Sequence, residues 1–181
     1  MYGIVNKFIS HTVVNRYGQH HWDSIKAMVD FEAEDFVEMQ PYSDDVTFGI
    51  VGAAIEELNL DANQFLEELG HDWVVATAEG SYKSMYTLVS GGMFEFIQNL
   101  NNMHQVISAQ LTELIPPTFL CERDEEGNII VKYFSERAGL DAFVKGLLMG
   151  LCSHFNEPGS VELISSRDEQ QPFSVFKINH Q

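Results

Sequence analysis

The sequence predicts an α+β fold, and three observations carry that expectation. Apolar residues recur at helical spacing through roughly the first two thirds of the 181 residues. From "TFLCE" onward the period drops to two, which is the mark of half-buried strands. Pro116-Pro117 stands at the changeover, where neither ring can continue a helix. One helical pattern interrupts the strands, so the expected architecture is a helical N-terminal part followed by a C-terminal antiparallel β-sheet with helices. No repeat, low-complexity tract or linker breaks the chain, and residues 1–181 read as a single domain.

"GIVNKFISHTVVNRYG" places Ile4, Val5, Phe8 and Ile9 at helical spacing and stops at Gly18. "HWDSIKAMV" is a second, short helix, and His20-His21 before it reads as a solvated pair at the helix start. "PYSDDVTFGIVGAAIEELNL" opens on a turn, with Asp44 or Asp45 as the expected N-cap of an amphipathic helix. Asp61 caps the next pattern, whose periodicity is lost near Gly70, as if two helices met there. "MFEFIQNLNNMHQVISAQLTELIPP" is the clearest helix; Ile97, Leu100, Ile107 and Leu111 form its stripe, and Pro116-Pro117 is its expected end. "TFLCE" and "IIVKYF" flank the turn-rich "RDEEGN" and predict a hairpin. "GLDAFVKGLLMGLCSHF" is helical, and "SVELISS" and "FSVFKIN" close the fold as strands.

Composition narrows the function. There are 27 acidic and 10 basic residues, a formal net charge of −17. That argues against nucleic acid, whose phosphates need a basic footprint, and against an anionic membrane surface. Cys121 and Cys152 form no CxxC, so neither a disulfide framework nor a zinc module is expected, and both thiols read as inert. The start carries Lys7 as its only early cation among interrupted apolar residues, unlike a signal peptide. A cytoplasmic protein is expected. "RDEEGN" is acidic but lacks the alternate-ligand spacing of a calcium loop.

Two features point to a ligand. His104 shares the apolar stripe of its helix, at i+4 from Leu100 and i−3 from Ile107. A neutral imidazole there is either a satisfied core group or a ligand. Positions three and four residues away, Leu100, Asn101, Ile107 and Ser108, carry no His, Cys or carboxylate, which excludes a zinc site built on this helix but leaves room for a single axial bond to haem iron. In "VKYFSERAGL", Tyr133, Ser135 and Arg137 fall at i, i+2 and i+4, on one face of an extended chain. Two hydroxyls and a guanidinium make an anion clamp, or else an ordinary polar strand edge. Together, a lone imidazole and a carboxylate clamp match an apolar disc with iron at its centre and two propionates at one edge. Phe94, Phe96 and Phe119 read as core rather than as a cofactor box.

"MYGIVNK", "YSDDV" at 42–46, "NLNNMH" at 99–104, Pro116-Pro117, "YFSER" at 133–137 and "GLLMGL" at 146–151 occur in this order and spacing. By these the chain resembles bacterial haem–nitric oxide/oxygen-binding (H-NOX) domains, the family that includes the sensor domain of soluble guanylate cyclase. The resemblance implies a haem b buried between the helical part and the sheet. It implies His104 as proximal iron ligand, Tyr133, Ser135 and Arg137 on the propionates, Pro117 pressing on the macrocycle and Ile4 packing against it. Oxygen-binding members place a distal Tyr; the matching position here is Phe143, with Ala142 beside it, and neither donates a hydrogen bond. Trp73 is the one candidate donor for the same pocket.

The expectation is therefore a nitric oxide sensor without catalytic residues. Nitric oxide would weaken or break the His104–iron bond and free the helix. The signal would pass in trans to a histidine kinase or to a cyclic-di-GMP enzyme, a diguanylate cyclase or phosphodiesterase. A haem redox protein, or an enzyme consuming nitric oxide or peroxide, is the alternative, with His71 and Asp72 as its only candidate proton-transfer groups. A module that binds another anion without haem is the third.

Overall fold

A computed structural model describes residues 1–29, 36–80 and 82–180. Among them are seven helices and four strands: α1 (Gly3–Tyr17), α2 (Gln19–Met28), α3 (Asp44–Leu58), α4 (Ala62–Glu79), α5 (Lys83–Leu88), α6 (Met93–Ser108), β1 (Thr118–Arg123), β2 (Ile129–Phe134), α7 (Asp141–His154), β3 (Gly159–Ser165) and β4 (Ser174–His180). The α+β expectation holds. Backbone proximity groups the chain into two compact units, one of residues 1–65 with 111–114 and one of residues 66–110 with 115–181. No helix among the described residues is long and apolar enough to cross a membrane.

The first unit packs α1, α2 and α3 around Ile9, Val13, Trp22, Ile25, Ile50 and Ala54. Helix α1 ends at Gly18, whose φ of 100° suits a residue without Cβ. Of the histidine pair at the start of α2, His20 is exposed. His21 is half-buried and its Nδ1 lies 2.9 Å from Glu57 Oε1, so only one of the two is a solvated residue. The cap of α3 is Ser43 rather than Asp44 or Asp45: its hydroxyl accepts from the Asp45 N–H at 3.2 Å. The two aspartates occupy the first turn, where the positive end of the helix dipole favours them. Asp61 does cap α4, accepting from Gln64 N–H at 2.9 Å.

In the second unit the strands form one antiparallel sheet in the order β1-β2-β4-β3. Strand β2 alternates as predicted, with Ile129, Val131 and Tyr133 buried. These join Phe119, Phe176 and Ile178 under α6 and α7. Phe96 and Phe119 are core residues and Phe94 packs against them, as expected. The hairpin turn is held by Asp124, which accepts from the N–H groups of Glu126 and Asn128.

Two helix expectations need correction. Helix α4 runs unbroken through Gly70. The missing apolar residue is explained by a close crossing: a Cβ on Gly70 would collide with the Phe143 carbonyl, and one on Gly146 with the Glu67 carbonyl. Periodicity lapses there because α7 backbone, not a side chain, covers α4. Helix α6 ends at Ser108, well before Pro116-Pro117. Past it the bonds tighten to i→i+3, with Gln110 N–H on Ile107 O and Leu114 N–H on Leu111 O. Leu111 is buried but lies outside α6. Helix α5 had no sequence signal; Tyr86 anchors it by stacking on Phe96, with ring centroids 4.8 Å apart, and by a 2.8 Å hydroxyl bond to Thr77.

Candidate functional site

Helix α6 carries His104 toward β1. Three residues before it, Asn101 binds the backbone of Phe119 twice: its Nδ2 donates to the Phe119 carbonyl at 2.7 Å, and its Oδ1 accepts the Phe119 N–H at 2.9 Å. Positions i and i+3 share a helix face, so Asn101 fixes the face that presents His104. The imidazole Nδ1 lies 3.1 Å from the Pro117 carbonyl. A carbonyl only accepts, so Nδ1 carries the proton and Nε2 keeps its lone pair. Burial depresses the His104 pKa below its ordinary value, against a weaker upward pull from that carbonyl. The ring is therefore neutral near pH 7, with one nitrogen committed to the backbone and one able to bind a metal.

The Phe119 ring neighbours both the histidine and Tyr133, its centroid 6.3 Å from that of His104 and 5.4 Å from that of Tyr133. Phe119 and Tyr133 are register partners across β1 and β2. Tyr133 is buried, Ser135 and Arg137 half-buried. The structure brings the three together, but not by strand alternation. Strand β2 stops at Phe134, and the chain turns so that the Arg137 N–H donates to Ser135 Oγ at 3.1 Å. The Arg137 Nη1 donates to the Ile115 carbonyl at 2.9 Å. Burial raises the Tyr133 pKa most; a hydrogen bond with Ser135 opposes it, Asp141 adds to the rise, and the charges of Arg137 and Arg167 oppose it. Two guanidinium charges thus act on one buried phenol. Arg167, missed in the sequence reading, sits in the β3–β4 loop, some thirty residues beyond the motif, where no local pattern marks it.

The remaining candidates are spread more widely. Pro117 contributes its carbonyl to His104. Trp73 on α4 and Phe143 on α7 are both half-buried, on helices whose backbones meet at Gly70 and Phe143. Ile4 is half-buried on α1, in the first unit. His71 Nε2 lies 3.4 Å from the hydroxyl of Ser153 near the exposed end of α7. Ten residues of helix separate Ser153 from Phe143, about 15 Å. The Cys121 thiol is pushed up to about 11, chiefly by burial, which fits an inert cysteine.

The donor set fits haem. Among the described residues no three His, Cys, Asp or Glu side chains cluster in a way that could hold a metal ion alone. A single neutral imidazole, with two hydroxyls and a guanidinium gathered at Tyr133, Ser135 and Arg137, suits an iron whose other ligands come from a porphyrin bearing carboxylates.

Comparison with known proteins agrees. The family model described as Haem-NO-binding matches residues 2–163. Soluble guanylate cyclase gcy-35 of Caenorhabditis elegans is 24% identical over 99% of this chain and 26% of its own length. Its relative gcy-37 is 30% identical over 82% of this chain and 21% of its own. The chain thus spans about a quarter of these curated relatives. An H-NOX protein from K. algicida in the unliganded Fe(II) form superposes with a TM-score of 0.84 at 18% identity, covering 100% of this chain and 97% of that one. An H-NOX protein from S. oneidensis in the Fe(II)NO ligation state gives 0.85 at 19%, covering 100% and 99%.

Proposed function

We propose a function that starts from one premise: this chain belongs to the Haem-NO-binding family. It binds haem b in the cytoplasm as a nitric oxide sensor and signals in trans to a histidine kinase or a cyclic-di-GMP enzyme. When bound, the haem supplies an iron with a coordination position open to a diatomic gas. His104 holds that iron through Nε2, while the Pro117 carbonyl sets the tautomer and ring plane. Tyr133, Ser135 and Arg137 take the propionates. Pro117, Ile4, Phe143 and Trp73 pack against the macrocycle. Phe143 and Ala142 have no donor to stabilise a polar bound dioxygen, so nitric oxide is favoured over oxygen. The observation that carries this reading is the imidazole held at Nδ1 by a backbone carbonyl, with its other nitrogen left for a metal.

His71 and Asp72, the only proton-transfer candidates of the redox alternative, do not favour that alternative. His71 turns to Ser153 and, at 3.6 Å, to Asp72 itself. The test is His104→Gly. The wild type should show a haem absorption band that shifts with nitric oxide and forms no stable oxygen complex. The variant should lose haem and regain it with added imidazole. A variant that keeps its haem without imidazole would remove His104 from the iron.

A further inference from the structure

Arg167 lies outside the motif read from the sequence, yet it is built into the same site. Its backbone N–H donates to Ser174 Oγ at 3.0 Å, and Ser174, fully buried, donates on to Asp141 Oδ1 at 2.8 Å. Ser174 is the register partner of Tyr133 across β2 and β4. The Arg167 guanidinium donates through Nη1 to the carbonyl of Ser135. Thus the loop is tied down on one side and its side chain grips the turn that carries Ser135 and Arg137.

The charge balance is the unusual part. With 27 acidic residues against 10 basic ones, a guanidinium should readily meet a carboxylate. The ion pairs among the described residues engage Lys7, Lys26, Lys132, Lys145 and Lys177, but no carboxylate lies in ion-pair reach of Arg167. Its side-chain hydrogen bond goes to a neutral carbonyl. Guanidinium has five donors, so most of the fork is left over. Among the described residues no ion pair offsets the desolvation of this half-buried cation. The charge does reach the Tyr133 phenol, as does that of Arg137.

We propose that Arg167 is a second cation of the carboxylate clamp: it holds the Ser135 main chain in place and offers its remaining donors to a propionate. Haem carries two propionates, and the site then supplies two guanidinium groups. This rests on the haem reading above.

The test compares wild type, Arg167→Gln and Arg167→Lys, each loaded with haem or with haem dimethyl ester, in which both propionates are neutral. The rate of transfer to excess apomyoglobin is measured. With haem, the Gln variant should release it about tenfold faster than wild type, equivalent to about 1.4 kcal/mol, and the Lys variant should fall between. With the ester, the three should release at the same rate. Equal rates with haem, or the same acceleration with the ester as with haem, would overturn the proposal, the latter making Arg167 a loop anchor only. Should the Gln variant not fold, the Lys variant carries the comparison: it keeps the charge, loses the planar fork, and should differ from wild type with haem alone. A wild type that takes up neither porphyrin overturns the haem reading and this inference with it. Tight haem binding without charge dependence overturns this inference alone.

Discussion

Asn101→Ala tests whether α6 is stitched to β1 by a single side chain. The substitution removes two hydrogen bonds, of 2.7 and 2.9 Å, from the backbone of Phe119. Phe119 is 5% exposed, so water replaces them poorly. Each such bond contributes a net ~1 kcal/mol, and a buried N–H or carbonyl left unmet costs ~1–3 kcal/mol. Two bonds at ~1 kcal/mol each, plus up to the ~1 kcal/mol lower bound for one unmet group, come to ~2–3 kcal/mol. In a protein of this length that lowers Tm by roughly 4–12 °C. The neighbouring Asn102 is an internal control: it is exposed, and among the described residues its amide bonds to Asn99 alone, at 2.9 Å. Asn102→Ala should stay within about 0.5 kcal/mol of wild type. The assay is urea unfolding of both variants without haem, followed by haem titration. Asn101→Ala should also weaken haem retention, because the helix face that presents His104 is no longer registered on β1. If the two alanine variants unfold together, the double bond to Phe119 does not hold the helix and the account of His104's placement fails.

The same substitution should act with opposite signs at two glycines. Gly146→Ala sets a Cβ against the Glu67 carbonyl at the α4–α7 crossing, and should cost ~1–3 kcal/mol because backbone must shift. Gly52→Ala, in α3 with nothing within 4 Å, should stabilise by roughly 0.5–1 kcal/mol; matching signs in a urea titration would refute the close crossing. Asp124 gives a pH prediction. Desolvation pushes its carboxyl upward but is outweighed by hydrogen bonds from Asn128, Lys177 and the Glu126 N–H, which hold it down to about 2. A carboxyl depressed in the folded state contributes stability above its ordinary pKa and loses it as pH falls toward the folded value. Asp124→Asn should therefore be less stable than wild type at pH 7, with the gap closing between about pH 4 and pH 2. A gap that does not change with pH would mean the carboxylate's charge contributes nothing to the turn.

The parts of the fold legible in the sequence were those set by local periodicity. Strand β2 alternates as written, and Gly18 and Asp61 act where their chemistry suggests. What was not legible depended on backbone met from far away. Gly70 looked like a break because its partner is the main chain near Phe143. Pro116 is sufficient to end a helix, but α6 ends earlier by tightening its own hydrogen bonds. Ser43, Asp44 and Asp45 all make good N-caps, and only the backbone geometry selects the serine. The residues of the clamp were readable as a motif. Its geometry was not, because β2 ends one residue before Ser135, and Arg167 arrives from another loop.

Residues 115–119 tie His104 and Arg137 to one stretch of main chain. Pro116 and Pro117 have no N–H, so this stretch cannot extend β1 as a fully bonded strand. Its carbonyls are left to side chains instead. The Ile115 carbonyl takes Arg137, the Pro117 carbonyl takes His104, and the Phe119 backbone takes Asn101. Three alternate residues, Ile115, Pro117 and Phe119, thus bind the guanidinium, the imidazole and its helix through main-chain atoms. Any displacement of α6 that carries His104 must break these bonds or drag the segment with it, and the segment holds Arg137. The His104 ring and the Arg137 guanidinium thus hold carbonyls only two residues apart in the chain. Loss of the Phe119 bonds in Asn101→Ala would loosen the helix while leaving the Pro117 and Ile115 bonds in place, so clamp and histidine should stay joined even as α6 frees itself from β1.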